Sequence, residues 1–189
     1  MDYAKLTLAD VKSGLDALGR ETQSAFGGFT SGQLNWRPDA AQWSIAQCFE
    51  HLLTANQLVL QAASNALSGT SPPTFWERAP VLPAIWGRLL VRSQAPTTTR
   101  KFTAPSKAQP STSDIAGDII QRFIKQHHDV VSQIQTVDER DAARAIMTSP
   151  FLKVVTYSVL DAFRLLLAHD RRHFEQAQRV TGAPAFPVF

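Results

Sequence analysis

Cysteine is almost missing from this chain. The one that occurs, Cys48, has no partner among the 189 residues, which excludes an internal disulfide. No apolar run reaches the roughly 18 residues that a membrane span requires. The polar start Met1-Asp2-Tyr3-Ala4-Lys5 lacks the apolar core of a signal peptide. Charge of one sign is concentrated nowhere: 19 Lys and Arg against 16 Asp and Glu give +3. The absence of a like-charge block argues against nucleic acid as a partner. A cytoplasmic protein with neither a membrane nor a nucleic-acid partner is the expectation. Internal repeats and convincing strand alternation are also absent. What is present is 44% hydrophobic residues, enough for a substantial core in one domain covering 1–189.

Those apolar residues recur with helical spacing. Thr7 and Asp10 mark a helix start, after which Leu8, Val11, Leu15, Leu18, Thr22 and Phe26 line one face up to Gly27-Gly28. Ser44 and Gln47 have capping-box spacing and open a second helix reaching about Leu67. Its stripe is Ile45, Cys48, Phe49, Leu52, Val59, Ala63 and Leu67. A third helix is expected over about 114–137, with Ile115, Ile119, Phe123, His127, Val130, Val131 and Ile134 inward. The fourth runs from about Tyr157 or Ser158 to Val180. The apolar tail from Ala183 to Phe189 either docks on these helices or meets another subunit.

Between the second and third helices, residues 68–113 hold seven of the eleven prolines: Pro72, Pro73, Pro80, Pro83, Pro96, Pro105 and Pro110. The segment is too long to be wholly structureless in a compact domain. Leu82, Ile85, Trp86, Leu89 and Leu90 place a short helix at about 83–92, and 93–113 reads as an extended crossover. The fold class is therefore all-α: a four-helix bundle with a long crossover between helices 2 and 3 that contains a short extra helix.

The chemistry gathers at histidines. His169 and His173 stand at i and i+4 on one helix face, with Cβ atoms about 6 Å apart, which suits a metal clamp. A third ligand could come from His51 on the second helix, beside its apolar stripe, where a side chain reaches inward without being wholly buried. Three imidazoles suit zinc, nickel, copper or iron(II) and leave coordination positions open. Spacing alone leaves ordinary solvated or core histidines as the alternative.

His127 and His128 are adjacent, point about 100° apart and cannot clamp one ion between them. His127 reads as core-facing, with pocket lining or a fourth ligand as its other role. Cys48 reads as a small apolar residue, with a reactive or ligating thiolate as the alternative. Gln47 and Trp43 are placed to line a pocket near His51. Core or loop packing is the default for Trp36, Trp43, Trp76 and Trp86. Glu50, Asp170 and Glu175 read as solvated charges that could instead accept a histidine proton. Arg171 and Arg172 read as ordinary ion-pair formers on a helix exterior, with contact to an anionic substrate or cofactor as the alternative. No residue stands out as a catalytic acid or base.

Three stretches, Leu34-Asn35-Trp36-Arg37-Pro38, Trp43-Ser44-Ile45-Ala46-Gln47-Cys48-Phe49-Glu50-His51-Leu52 and Leu167-Ala168-His169-Asp170-Arg171-Arg172-His173-Phe174-Glu175-Gln176-Ala177, resemble the signature segments of the DinB-like (YfiT-like) metalloenzyme superfamily. The resemblance implies a four-helix bundle whose divalent metal, zinc or nickel, is held by His51, His169 and His173. Relatives include transferases and isomerases that use low-molecular-weight thiols such as mycothiol or bacillithiol. The leading expectation is a thiol-dependent S-transferase acting on a small electrophile. The alternatives are a metal-dependent hydrolase using metal-bound hydroxide, and a non-catalytic dimeric binding protein with a vestigial site. A homodimer is compatible with all three.

Overall fold

The structure is a computed structural model that describes residues 1–70, 72–79, 81–96 and 103–187. Three of its four long helices begin where the sequence supplies a side chain for the free amides of the first turn: Thr7, Ser44 and Ser158. Helix α1 (Leu8–Phe26) has a reciprocal cap in which Thr7 Oγ1 accepts from Asp10 N at 3.1 Å and Asp10 Oδ2 from Thr7 N at 2.9 Å. A short helix α2 (Ser31–Asn35) repeats the device with Thr30 and Gln33. Helix α3 (Ile45–Ser68) repeats it with Ser44 and Gln47 and stops at Gly69, whose φ of +62° only glycine adopts freely. Helix α4 (Leu82–Gln94) lies in the crossover, followed by α5 (Ile119–Gln135), α6 (Glu139–Arg144) and α7 (Val159–Thr181).

Several expectations are corrected. The third long helix starts at Ile119 rather than 114, because the Asn35 side chain holds both the N–H and the carbonyl of Ile115, fixing that residue outside the helix. Beyond the expected end of the third helix, Glu139–Arg144 form α6. Strands were not expected, yet β1 (Ile146–Thr148) and β2 (Thr156–Ser158) pair antiparallel. Three residues each are too few to show alternation. Trp76 and Trp86, for which core or loop packing is the default reading, are exposed. The tail docks on the bundle: Phe186 packs on Phe29 and Trp36 at 5.5 Å between ring centroids, and Gln33 donates to the Pro187 carbonyl. Val188 and Phe189, like crossover residues 97–102, lie outside the described residues.

Helix α1 packs on α5 and α7, and α3 packs on the same two, so α1 and α3 face each other across one diagonal. The core has two apolar halves. Along α1 and α7 the chain passes from a half containing Val11, Leu15, Val159 and Leu166 to one containing Leu18, Phe26, Phe174 and Ala177. Along α3 and α5 it passes the opposite way, from Phe49 and Phe123 toward Val59 and Val130. Adjacent α3 and α5 are therefore parallel. Their connection must travel back along a 24-residue helix, about 36 Å, which is why the crossover is long. Phe26, Phe49, Phe123 and Phe174, one from each long helix, meet edge to face at 4.8–5.6 Å between centroids. Each such pair adds roughly 1 kcal/mol beyond area burial.

Where the halves meet lies a polar layer. Asn56 on α3, His127 on α5 and Asp170 on α7 are all buried. Asn56 Nδ2 donates to both Asp170 oxygens at 3.1 Å, His127 Nε2 lies 2.8 Å from Asp170 Oδ2, and His127 Nδ1 lies 3.3 Å from the Leu15 carbonyl of α1. One network thus touches all four long helices. Buried polar groups are tolerated when satisfied in this way.

Candidate metal centre

The three histidines come together just beyond this layer. On α7, one helical turn sets His173 above His169, and α3 packs on α7 so that His51 faces both. Ring centroids are 5.1 Å apart for His51 and His169, and 4.7 Å for each of the other two pairs. One nitrogen from each lies within 4.8 Å of the other two. His51, expected at the edge of burial, is buried, while His169 is partly so.

The crossover fixes His51. Its Nδ1–H donates to the Ala108 carbonyl at 2.5 Å, which leaves the lone pair on Nε2. The same segment is tied to the start of α3 twice more. Glu50 Oε2 accepts from Ser111 N and Oγ at 2.6 and 2.7 Å, and Gln47 Nε2 donates to the Ser111 carbonyl at 2.9 Å. Trp43, just before α3, stacks on His173 at 5.8 Å and leans on His51 at 5.1 Å, walling one side.

Electrostatics favour neutral rings, the form that binds metals. Burial, His173, His51 and Arg172 hold His169 well below the ordinary histidine range. Burial, His51 and Arg172 push His173 down to about 3, with Gln176 offsetting part of the shift. Burial lowers His51 too, against the Ala108 bond and the Asp170 charge.

The residues fit a divalent ion. His51 Nε2 lies 3.2 Å from His169 Nε2, against about 3.3 Å for two ligands each about 2 Å from a tetrahedral zinc. His173 Nδ1 is buried with no hydrogen-bond partner among the described residues, an orphan that the protein alone does not satisfy.

The other candidates fall elsewhere. Cys48 is buried among Leu18, Phe49 and Phe174, and burial pushes its thiol up to about 12. His127 stands apart from the cluster, bonded to Asp170. Glu50 is turned to Ser111, and Glu175 lies toward Tyr3 and Arg171. Arg171 pairs with Glu21, and Arg172 donates to the Ser93 carbonyl at the end of α4. Asp170 corrects its reading as a solvated charge: it is fully buried and holds the polar layer. The signal was in the sequence, since Asp170 follows Leu166 and Leu167 by four and three residues and precedes Phe174 by four, which is the register of the core stripe.

The fold and site define a four-helix bundle with a three-histidine cluster between two of its helices. The chain belongs to the DinB superfamily, whose family model matches residues 15–177. Among solved structures it is similar to YfiT from Bacillus subtilis, described as a probable metal-dependent hydrolase with an unusual four-helix bundle topology. That match has a TM-score of 0.59 at 13% identity and covers 95% of this chain and 89% of YfiT, a likeness of fold. No curated protein matches the chain.

Proposed function

We propose that this protein is a metal-dependent enzyme acting on a small molecule, with His51, His169 and His173 holding a divalent ion. The convergence of three neutral imidazoles, one oriented by a backbone carbonyl, carries the reading. Nitrogen-only ligation favours zinc or nickel. When bound, the ion would supply Lewis acidity, lowering the pKa of a thiol or water brought to its open positions.

The surrounding residues favour a thiol. The carboxylates next in sequence to the ligands, Glu50 and Asp170, are engaged elsewhere, so neither is free to act as general base. A low-molecular-weight thiol becomes nucleophilic on losing one proton to solvent. The charges of Arg172 and Arg179 act on His173, so the surroundings are cationic and suit a thiolate. Trp43 packs on the His51 and His173 rings and walls one side of the site. We read the reaction as attack of that thiolate on a small electrophile, the new bond to sulfur forming as the electrophile's leaving group departs. Hydrolysis is the second reading, favoured by the description of YfiT.

Metal analysis by mass spectrometry on protein purified without a polyhistidine tag tests the site. About one ion per chain is expected, lost in both His51→Ala and His169→Ala. A wild type that arrives empty and takes up no zinc, nickel or manganese would overturn the proposal. On cobalt-loaded protein, a change in visible absorption with a biological thiol supports transfer. Metal-dependent hydrolysis without a thiol, and no thiol response, would support the second reading.

A further inference from the structure

The turn that leads into Trp43 is clasped by one side chain. Arg37 is exposed, and its guanidinium reaches forward to two carbonyls: Nε donates to that of Gln42 at 2.8 Å and Nη2 to that of Ala40. A planar fork can hold two acceptors at once, which a single ammonium does less well. Asp39 closes the same turn, its Oδ1 accepting from Ala41 N at 2.7 Å and its Oδ2 from the Gln42 side chain. Both flanks are anchored to the bundle. Trp36 packs on Phe186 at 5.5 Å, and Ser44 caps α3 together with Gln47. Among the described residues, every side-chain hydrogen bond of 37–42 stays inside the turn. The path of the chain into Trp43 therefore depends on the clasp and on no contact with the core.

The histidines are not all held alike. His51 is set by the Ala108 carbonyl, whereas His173 Nδ1 is buried with no hydrogen-bond partner among the described residues. Gln176 also acts on His173, but it stands on the same helix and cannot register the ring against α3. The contact that does so is Trp43, whose indole lies 20° from the His173 plane with centroids 5.8 Å apart, while leaning on His51 at 5.1 Å. Aromatic rings at such separations attract one another. We infer that Arg37 is a positioning residue of the candidate metal centre, acting through Trp43. It holds the indole against the His173 ring, and the indole keeps that ring turned toward His51 and His169. The effect on metal rests on the proposed three-histidine site; the placement of Trp43 by Arg37 does not.

Hydroxyl-radical footprinting of the metal-free full chain tests the placement. In Arg37→Ala, which alters an exposed residue and should keep the fold, oxidation of Trp43 should rise severalfold while that of Trp36 stays at the wild-type level. Zinc affinity, measured by competition with a chromophoric chelator, tests the consequence. Arg37→Ala should lower it about tenfold, and Trp43→Ala at least as much. Removing a positive charge would by itself strengthen the binding of a cation, so a fall reports position rather than charge. In the Trp43→Ala background, Arg37→Ala should add nothing, because its effect passes through the indole. Unchanged Trp43 oxidation in Arg37→Ala, or losses of affinity that add, would each overturn the inference. A wild type that binds no metal would instead overturn the proposed function, and the footprint alone would then decide whether Arg37 holds Trp43.

Discussion

His51 Nδ1 and the carbonyl oxygen of Ala108, 57 positions apart in the chain, lie 2.5 Å from each other. The bond makes the crossover part of the candidate metal centre: the segment that returns the chain from α3 to α5 also sets which His51 nitrogen faces His169. Orientation by a hydrogen-bonded partner raises the basicity of a ligand and holds its ring in place.

Loosening that segment should weaken metal binding without touching a ligand. Glu50→Ala removes the acceptor of Ser111 N and Oγ. The affinity for zinc, measured by competition with a chromophoric chelator, should fall about tenfold or more. The melting temperature of the metal-free protein should move little, because Glu50 is only partly buried. Unchanged affinity would show that the crossover does not orient His51.

The polar layer should matter to stability more than any surface charge. Asp170→Ala leaves His127 and Asn56 without their shared acceptor in the core, and leaving a buried polar group unsatisfied costs about 1–3 kcal/mol. Urea unfolding of the metal-free variant measures the loss free of any effect on metal binding. Asp170→Asn, which keeps the shape, should lose less.

Acid should destabilise the metal-free protein in a defined window. The unfolded chain's histidines titrate near 6.5, while His173 in the fold is pushed down to about 3 and His51 and His169 are also lowered. Below 6.5 the unfolded state takes up protons that the fold refuses, so this stability is full above 6.5 and declines toward 3. His173 alone adds a slope of up to about 1.4 kcal/mol per pH unit there. Asp170, raised by burial, works in the opposite sense above its ordinary carboxylate value. Urea midpoints of wild type and His173→Phe should diverge in slope between about pH 5 and 6.5; parallel curves would contradict the assignment.

Cys48 should be inert in the native state. With its thiol buried and pushed up to about 12, it should not react with a disulfide reagent at about pH 8, and should react fully in denaturant. Cys48→Ala should leave any thiol-transfer activity unchanged, since the nucleophile in that reaction is supplied from outside. Rapid native labelling would show that the core opens locally.

Much of the scaffold was legible because its determinants are local. Thr7 with Asp10 and Ser44 with Gln47 announce helix starts three residues at a time, and stripes such as Leu8, Val11 and Leu15 repeat at the helical period. The same capping spacing at Thr30 and Gln33 also encodes α2, but the helix it starts is only five residues long and has no stripe to draw attention to it. The late start of α5 was not legible, because it depends on Asn35, which lies 80 positions from Ile115.

The site divides in the same way. That His169 and His173 share a helix face follows from spacing alone, since one turn of α-helix fixes it. That His51 meets them, with its Nδ1 engaged and its Nε2 free, depends on the packing of α3 against α7 and on where a distant crossover places one carbonyl. The burial of Asp170 and the exposure of Trp86 were decided there too. A helical period shows which residues share a face, but whether that face meets a neighbouring helix or water is set by how the helices assemble.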